Sequence, residues 1–198
     1  AVRTAALDRI LADCSADRFE ARLDKILDSK EKRQLVAEPM LEWTGERFLP
    51  WIDEPTIAYE HLHRYAYASQ FVGGKRVLDL GSGEGYGSNM LAATASSVVG
   101  VDLDEAAIRH ANTKYGALNL SFLLGSITDV PIPEKHSFDI IVCFEAIEHV
   151  ENHEALLTGI ATLLAEDGLL MISTPNGDEY AANIGEENPF HKKEVALD

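Results

Sequence analysis

From Lys75 onward, short apolar runs alternate with segments of helical periodicity. The runs are almost continuously apolar, which is typical of strands buried on both faces, and strands separated by helices indicate βαβ units. The pattern therefore predicts an α/β fold with a doubly wound, mainly parallel sheet. The five predicted strands cover residues 76–80, 98–102, 120–124, 139–144 and 169–174.

The segments around these strands carry apolar residues at helical spacing. The predicted helices cover residues 56–71, 85–95, 104–115 and 153–164. Asp104 stands where an N-cap is expected, and Gly168 stands where a glycine would end the last helix. Pro131 and Pro133 predict a connector rather than a helix between the third and fourth strands.

Residues 1–40 differ from the rest of the chain. They are rich in Ala, Leu and charged residues, contain no glycine and predict two short amphipathic helices. A chain of 198 residues with 46% hydrophobic content supports one substantial core. We therefore expect an N-terminal helical extension over residues 1–40 and one core domain over residues 41–198.

The charge balance restricts the partners. A formal net charge of −16, without a cluster of basic residues, would repel a phosphate backbone, so nucleic acid is not expected as a partner. The sequence has no apolar run long enough to span a membrane. Cys14 and Cys143 lie far apart and form no CxxC pair, which fits a reducing compartment. These features predict a cytoplasmic location.

The strongest local signal is VLDLGSGEGYG, residues 77–87, in which a buried strand leads straight into glycines. Such a turn brings backbone N–H groups and a helix N-terminus close to a ligand. A dinucleotide fingerprint, G-x-G-x-x-G, would need glycine at position 86 or 88, where the chain has Tyr86 and Ser88. The spacing therefore disfavours NAD, and with it a dehydrogenase or a nucleotide-sugar epimerase.

Three further segments end in polar residues at strand termini. In VVGVDLD, residues 98–104, Asp102 follows Gly81 by 21 residues and is placed to accept ribose hydroxyls. In FLLGSITD, residues 122–129, a polar side chain and a backbone N–H could read a base edge. FDIIVCFEAIEHV, residues 138–150, opens at its carboxyl end toward the expected ligand crevice.

In this order and spacing, the four segments resemble the motifs of class I S-adenosylmethionine-dependent methyltransferases over residues 75–176. The resemblance implies a Rossmann-like fold, S-adenosylmethionine as cofactor and S-adenosylhomocysteine as product. The flanking segments TGERFLP, YEHLHRYAYA and NPFHKKE resemble methyltransferase domains found beside bacterial glycosyltransferases and in surface-polysaccharide assembly. That narrower resemblance implies O-methylation of a sugar, glycan or glycolipid.

EAIEHV, residues 145–150, is also similar to ubiquinone-pathway O-methyltransferases, which leaves a phenolic quinone precursor as an alternative acceptor. Another alternative is a non-catalytic domain that binds the cofactor inside a larger protein. Intact cofactor motifs argue against loss of binding, but they do not establish turnover.

The resemblance also implies roles for individual residues. The methionyl part of the cofactor would be lined by Gly81, Ser82 and Gly83, with Asp79 organising the loop and the amino group. Asp102 would hold the ribose and Leu103 would cover one adenine face. The other implied contacts are Ser126 and Ile127 at the adenine edge, Phe144 and Glu145 near the methionine, and Tyr59, His61, His63 or Tyr65 from the preceding helix.

Methyl transfer from a sulfonium needs mainly orientation of the acceptor, but a hydroxyl acceptor also needs a base. We predict His149 for this role, because an unperturbed histidine pKa near 6.5 suits proton removal at neutral pH. His149 and His153 are four residues apart, yet no third ligand is fixed by the sequence. A metal site is therefore not predicted.

The family resemblance implies seven strands, of which five are visible in this sequence. We therefore expect strands 6 and 7 to be missing at the C-terminus, and the sheet edge they would cover to be exposed. Neighbouring domains of the same polypeptide and self-association are both left open as partners, beside the small-molecule or glycan acceptor.

Overall fold

The computed structural model describes residues 49–50, 55–176 and 192. The predicted helical extension, residues 1–40, lies outside the described residues. The regular elements are α1 (Pro55–Ala68), β1 (Arg76–Leu80), α2 (Tyr86–Ala92), β2 (Ser97–Asp102), α3 (Glu105–Lys114), β3 (Leu120–Leu124), β4 (Phe138–Phe144), a 3₁₀ turn (Ile147–His149), α4 (His153–Leu163) and β5 (Leu164–Ser173).

The strands form one five-stranded sheet in the order β3-β2-β1-β4-β5. Every neighbouring pair is parallel. The chain builds outward from β1 to β3 and then returns to place β4 on the other side of β1. The order therefore reverses between β1 and β4, and a ligand crevice forms at the carboxyl ends of strands where this happens. The predicted α/β fold is confirmed.

The central strands β1 and β4 supply most of the core. Leu78 and Ile141 are neighbours in register and are fully buried. Helix α4 covers one face of the sheet with Leu156, Ile160 and Leu163, which recur at helical spacing. The predicted strands and helices occur at nearly the expected bounds, and Asp104 caps α3 by accepting from the amides of Ala106 and Ala107 at 2.8 and 3.3 Å.

One boundary prediction was wrong. Gly168 does not end α4; the helix ends at Leu163, and β5 begins at once with Leu164. The connector before β4 explains this difference, because the amide of His136 donates to the carbonyl of Thr162 at 2.9 Å and so satisfies a group at the helix end. Gly168 instead lies inside an irregular stretch of β5, where the pairing register shifts between Phe138 and Ile140.

Strand β5 lies at one edge of the sheet, and Leu169 and Ile172 on it are each 41% exposed. Within residues 55–176, no strand follows β5. The absence of strands 6 and 7 from the protein stays a prediction. None of the described helices is long and apolar enough to cross a membrane.

Candidate active site

The glycine-rich loop joins β1 to α2 at the point where the strand order reverses. Gly81 has φ 78° and Gly83 has φ 54°, in the left-handed region that favours glycine. A Cβ on Gly81 would lie 2.8 Å from that of Ala146, beyond the end of β4. The loop therefore fits closely between neighbouring strand ends, and its main chain faces the crevice without side chains in the way.

Asp102 ends β2 beside this loop. Its Oδ2 accepts from the amide of Gly83 at 2.8 Å, and its Oδ1 accepts from the amide of Asp104 at 2.9 Å. A carboxylate has about four lone-pair sites, so both oxygens can accept further hydrogen bonds. The adjacent Leu103 is 70% exposed. A fixed carboxylate beside an exposed apolar side chain is suited to a ribose and the base attached to it.

Asp79 lies beneath the loop and is fully buried. It accepts hydrogen bonds from the hydroxyls of Ser88 at 2.6 Å and Tyr65 at 3.1 Å. Burial raises the pKa of Asp79 to about 6, the two hydrogen bonds oppose that rise, and the nearby charge of Asp102 adds to it. A cation placed next to this carboxyl would stabilise its ionised form.

Helix α1 is held against the ends of β1 and β4 by Tyr65. The Tyr65 ring contacts the rings of Tyr86 and Phe144 edge-on, with centroids 5.3 and 5.2 Å apart. It also fills the space above Gly87, where a Cβ would overlap the ring. Tyr65 therefore contacts both Asp79 and Phe144, the residue that was predicted to lie near the cofactor.

Glu145 follows β4 with φ 49°, a strained conformation for a residue with a side chain. Its Oε1 lies 3.2 Å from Nη2 of Arg64 on α1 and accepts from the Ser173 hydroxyl at 2.8 Å. Sequence reasoning did not identify Arg64. The signal was available, since Arg64 lies three residues after His61, a spacing that places both residues on the same side of the helix.

The other predicted residues of α1 lie differently. The rings of Tyr59 and His63 stack with centroids 6.0 Å apart, and both side chains are exposed. His61 instead contacts the Tyr86 hydroxyl at 3.3 Å, and burial together with the charge of Arg64 lowers the His61 pKa to about 4. The two histidines point in different directions, because residues two apart on a helix lie on different faces. That Tyr59 and His63 contact the cofactor stays a prediction.

Ser82 and Ile127, two of the residues predicted to contact the cofactor, could do so only through main-chain atoms because their side chains are buried. The Ser82 hydroxyl is buried behind the loop, close to Gly100. The Ile127 side chain belongs to the hydrophobic core. Ser126 follows β3 at the predicted adenine edge, and its hydroxyl lies 2.8 Å from that of Thr128. Of this group, only Ser126 has a side chain near the crevice edge that could read a base.

The turn after β4 carries His149, the predicted base, next to Glu148. His149 is exposed, whereas the adjoining Glu148 is buried with 1% exposure. Glu148 accepts from the Thr174 hydroxyl at 3.0 Å, and its carbonyl accepts from the amide of Lys192 at 2.7 Å. Burial raises the Glu148 pKa, and the nearby Glu145 charge adds to that effect. Sequence reasoning placed Glu148 at this turn but did not anticipate its burial.

The described residues fit S-adenosylmethionine. The Gly83 amide and the Asp102 carboxylate, which are in contact, would hold the ribose, and the buried Asp79 would provide an acidic group for the amino end. Arg64 and Glu145 supply paired charges that could meet the amino acid part of the ligand. Among the residues that the structure describes, no three His, Cys, Asp or Glu side chains group in a way that would hold a metal ion.

The comparisons with known proteins agree with this geometry. A protein "Probable S-adenosylmethionine-dependent methyltransferase" from Mycobacterium tuberculosis is 31% identical over 179 residues, covering 86% of this chain. The chain spans 62% of the length of that relative. A "Ubiquinone biosynthesis O-methyltransferase" from Glaesserella parasuis is 37% identical over 111 residues, which cover 52% of this chain and 46% of the relative.

Among solved structures, the YcgJ protein from Bacillus subtilis matches with a TM-score of 0.62 and 25% identity, covering 69% of this chain and 64% of that one. The family described as "Methyltransferase domain" matches residues 72–197, which include the glycine loop, Asp102 and the turn after β4. The chain therefore belongs to the methyltransferase domain family of the class I, S-adenosylmethionine-dependent type.

Proposed function

We propose that the protein transfers a methyl group from S-adenosylmethionine to a hydroxyl of a small-molecule acceptor. The contact between the Gly83 amide and the Asp102 carboxylate carries the cofactor part of this proposal. It fixes a ribose-binding acid against a glycine loop at the topological switch point, with Asp79 buried beneath. The family membership supports the same cofactor.

The cofactor supplies a methyl group on a sulfonium, which is already activated for displacement. The protein's own work is positioning. Asp102 orients the ribose, and Asp79 and Glu145 lie on the amino acid side. The aromatic rings of Tyr65 and Phe144 pack edge-on at the carboxyl end of β4 and provide an apolar surface beside Asp79. Fixing two reactants in line in this way provides most of the rate enhancement that methyl transfer needs.

His149 is the proposed base for the acceptor hydroxyl. It is exposed at the carboxyl end of β4, where a substrate can reach it, while Glu148 beneath it is buried and bonded to Thr174. An exposed imidazole can take a proton from the acceptor and pass it to solvent.

For the acceptor, we propose a sugar, glycan or glycolipid hydroxyl, on the resemblance of the flanking segments to methyltransferase domains of surface-polysaccharide assembly. A second candidate is a phenolic quinone precursor, which is supported by the match to a ubiquinone biosynthesis O-methyltransferase and by the similarity of EAIEHV to enzymes of that pathway. The proposed setting is cytoplasmic, where the two cysteines would stay reduced.

Calorimetric titration with S-adenosylmethionine, S-adenosylhomocysteine and NAD tests the cofactor proposal. We expect micromolar-range dissociation constants for the first two and no binding of NAD; tighter binding of NAD would reject it. Mass spectrometry after incubation with cofactor and a panel of sugars, glycolipids and catechols then tests the acceptor. A mass gain of one methyl group on a sugar and not on a catechol supports the first candidate, and the reverse supports the second.

A further inference from the structure

A buried cluster behind the glycine loop has no role in the chemistry described above. At its centre is Glu84, which lies in the loop between Gly83 and Gly85 and is fully buried. A buried carboxylate is costly unless it is paired and hydrogen-bonded. Here every contact partner comes from the end of helix α3, at distances of 2.8–3.2 Å: His110, Lys114 and Tyr115.

Helix α3 connects this cluster to the ribose end of the site. Its N-cap Asp104 donates its amide to Asp102, while its last turn holds Glu84. The Gly83 amide, next to Glu84 in the chain, donates to the other oxygen of Asp102. Asp102 thus contacts the N-cap of α3, and Glu84 of the glycine loop contacts its last turn. One helix therefore fixes the positions of both groups that would contact the cofactor.

The glycine loop packs closely against its neighbours around Glu84. A Cβ on Gly85 would lie 2.7 Å from the Phe122 ring and 2.8 Å from Ala111 of α3, so the loop approaches the helix closely. The side chains that the structure describes near Glu84 are those of Lys114, His110, Tyr115 and Tyr86, and burial raises the pKa of both tyrosine hydroxyls, which keeps them neutral at pH 7.

We propose that Glu84 is a positioning residue that couples the glycine loop to helix α3 and thereby sets the affinity for the cofactor. It does not touch the ligand. Its contacts with α3 hold the Gly83 amide on Asp102, so that the loop and the carboxylate present one preformed surface to the ribose. This inference rests on the proposed function, since it concerns the same cofactor site.

The test compares Lys114→Met with Arg109→Met. Both changes remove one positive charge from α3, but Lys114 pairs with Glu84, whereas Arg109 pairs with the exposed Glu105 one turn away. We expect Lys114→Met to raise the dissociation constant for S-adenosylhomocysteine several-fold and Arg109→Met to leave it unchanged. Glu84→Gln, which keeps the size but not the charge, should raise it about tenfold.

A purely structural role predicts a different result. It would lower the melting temperature of Glu84→Gln and Lys114→Met, yet leave cofactor affinity unchanged at temperatures where the variants are folded. Hydrogen exchange of the loop amides, residues 81–87, supplies a readout without ligand: the proposal predicts faster exchange in both variants and not in Arg109→Met.

Equal affinities in wild type, Lys114→Met and Glu84→Gln, or unaltered loop exchange in the two variants, would overturn the positioning role alone. Failure of the wild-type protein to bind cofactor would overturn the proposed function together with this inference. The two failures are therefore distinguishable.

Discussion

The titration of Asp79 gives a quantitative prediction for cofactor binding. The Asp79 pKa is about 6 because the carboxyl is buried, and only its ionised form offers a charge to the cofactor's amino group. The ionised fraction at that pKa rises from about one tenth at pH 5 to about nine tenths at pH 7. The association constant for S-adenosylmethionine should therefore rise about tenfold over this range, or about 1.4 kcal/mol.

The assay is calorimetric titration at half-unit steps from pH 5 to pH 7. Asp79→Asn is the matched variant, since it keeps the shape of the side chain and cannot ionise; its affinity should be lower and independent of pH. His61 does not interfere, because its pKa of about 4 leaves it neutral in this range. A flat wild-type profile, or the same slope in Asp79→Asn, would refute the reasoning.

The same pKa has a consequence for stability without cofactor. A carboxyl whose pKa is raised on folding contributes its full stabilisation of the folded state below its unfolded pKa, near 3.8. That contribution is lost as the pH rises through the folded-state pKa of about 6. Relative to Asp79→Asn, the wild-type free energy of unfolding should thus fall by up to about 3 kcal/mol between these values. Chemical denaturation of both proteins at each pH measures this difference.

Three other substitutions test separate parts of the site. Asp102→Ala should weaken cofactor binding by roughly 1–3 kcal/mol, because ribose hydroxyls and the Gly83 amide lose their acceptor; an unchanged dissociation constant would remove Asp102 from the site. His149→Ala should lower turnover by about 10²–10⁴-fold with cofactor affinity nearly unaltered, and full activity across the pH range would contradict a base role. Gly87→Ala should destabilise the fold by roughly 1–3 kcal/mol, because its Cβ would displace the Tyr65 ring; an unshifted denaturation midpoint would contradict that packing.

The glycine turn and the start of α3, which flank the predicted cofactor site, could be predicted from the sequence because their determinants are local. Asp104 caps α3 through amides two and three residues away, and the turn between β1 and α2 is specified by its own glycines. The prediction that Gly168 ends α4 was wrong because that helix end involves a residue far away in the sequence. The end of α4 is set by His136, which lies 26 residues before Thr162 in the chain, and no local pattern reveals that contact.

The buried acids show the same limit. The sequence does not reveal that Glu84 and Glu148 are buried, since glutamates are almost never fully buried unless they are paired. Their burial depends on partners from other elements: Tyr115 lies 31 residues from Glu84, and Thr174 lies 26 residues from Glu148. Such pairs become visible only after the strands are ordered, because the sheet brings these chain segments together.

Glu145 joins helix α1 to the end of strand β5. Its left-handed backbone conformation costs roughly 1–2 kcal/mol, and such strain persists only where the surroundings hold it in place. Here Arg64 comes from α1 and Ser173 from the end of β5, while the Glu145 amide donates to the Ser173 carbonyl at 3.0 Å. Helix α1 and strand β5 therefore meet at Glu145, the residue that begins the turn carrying His149.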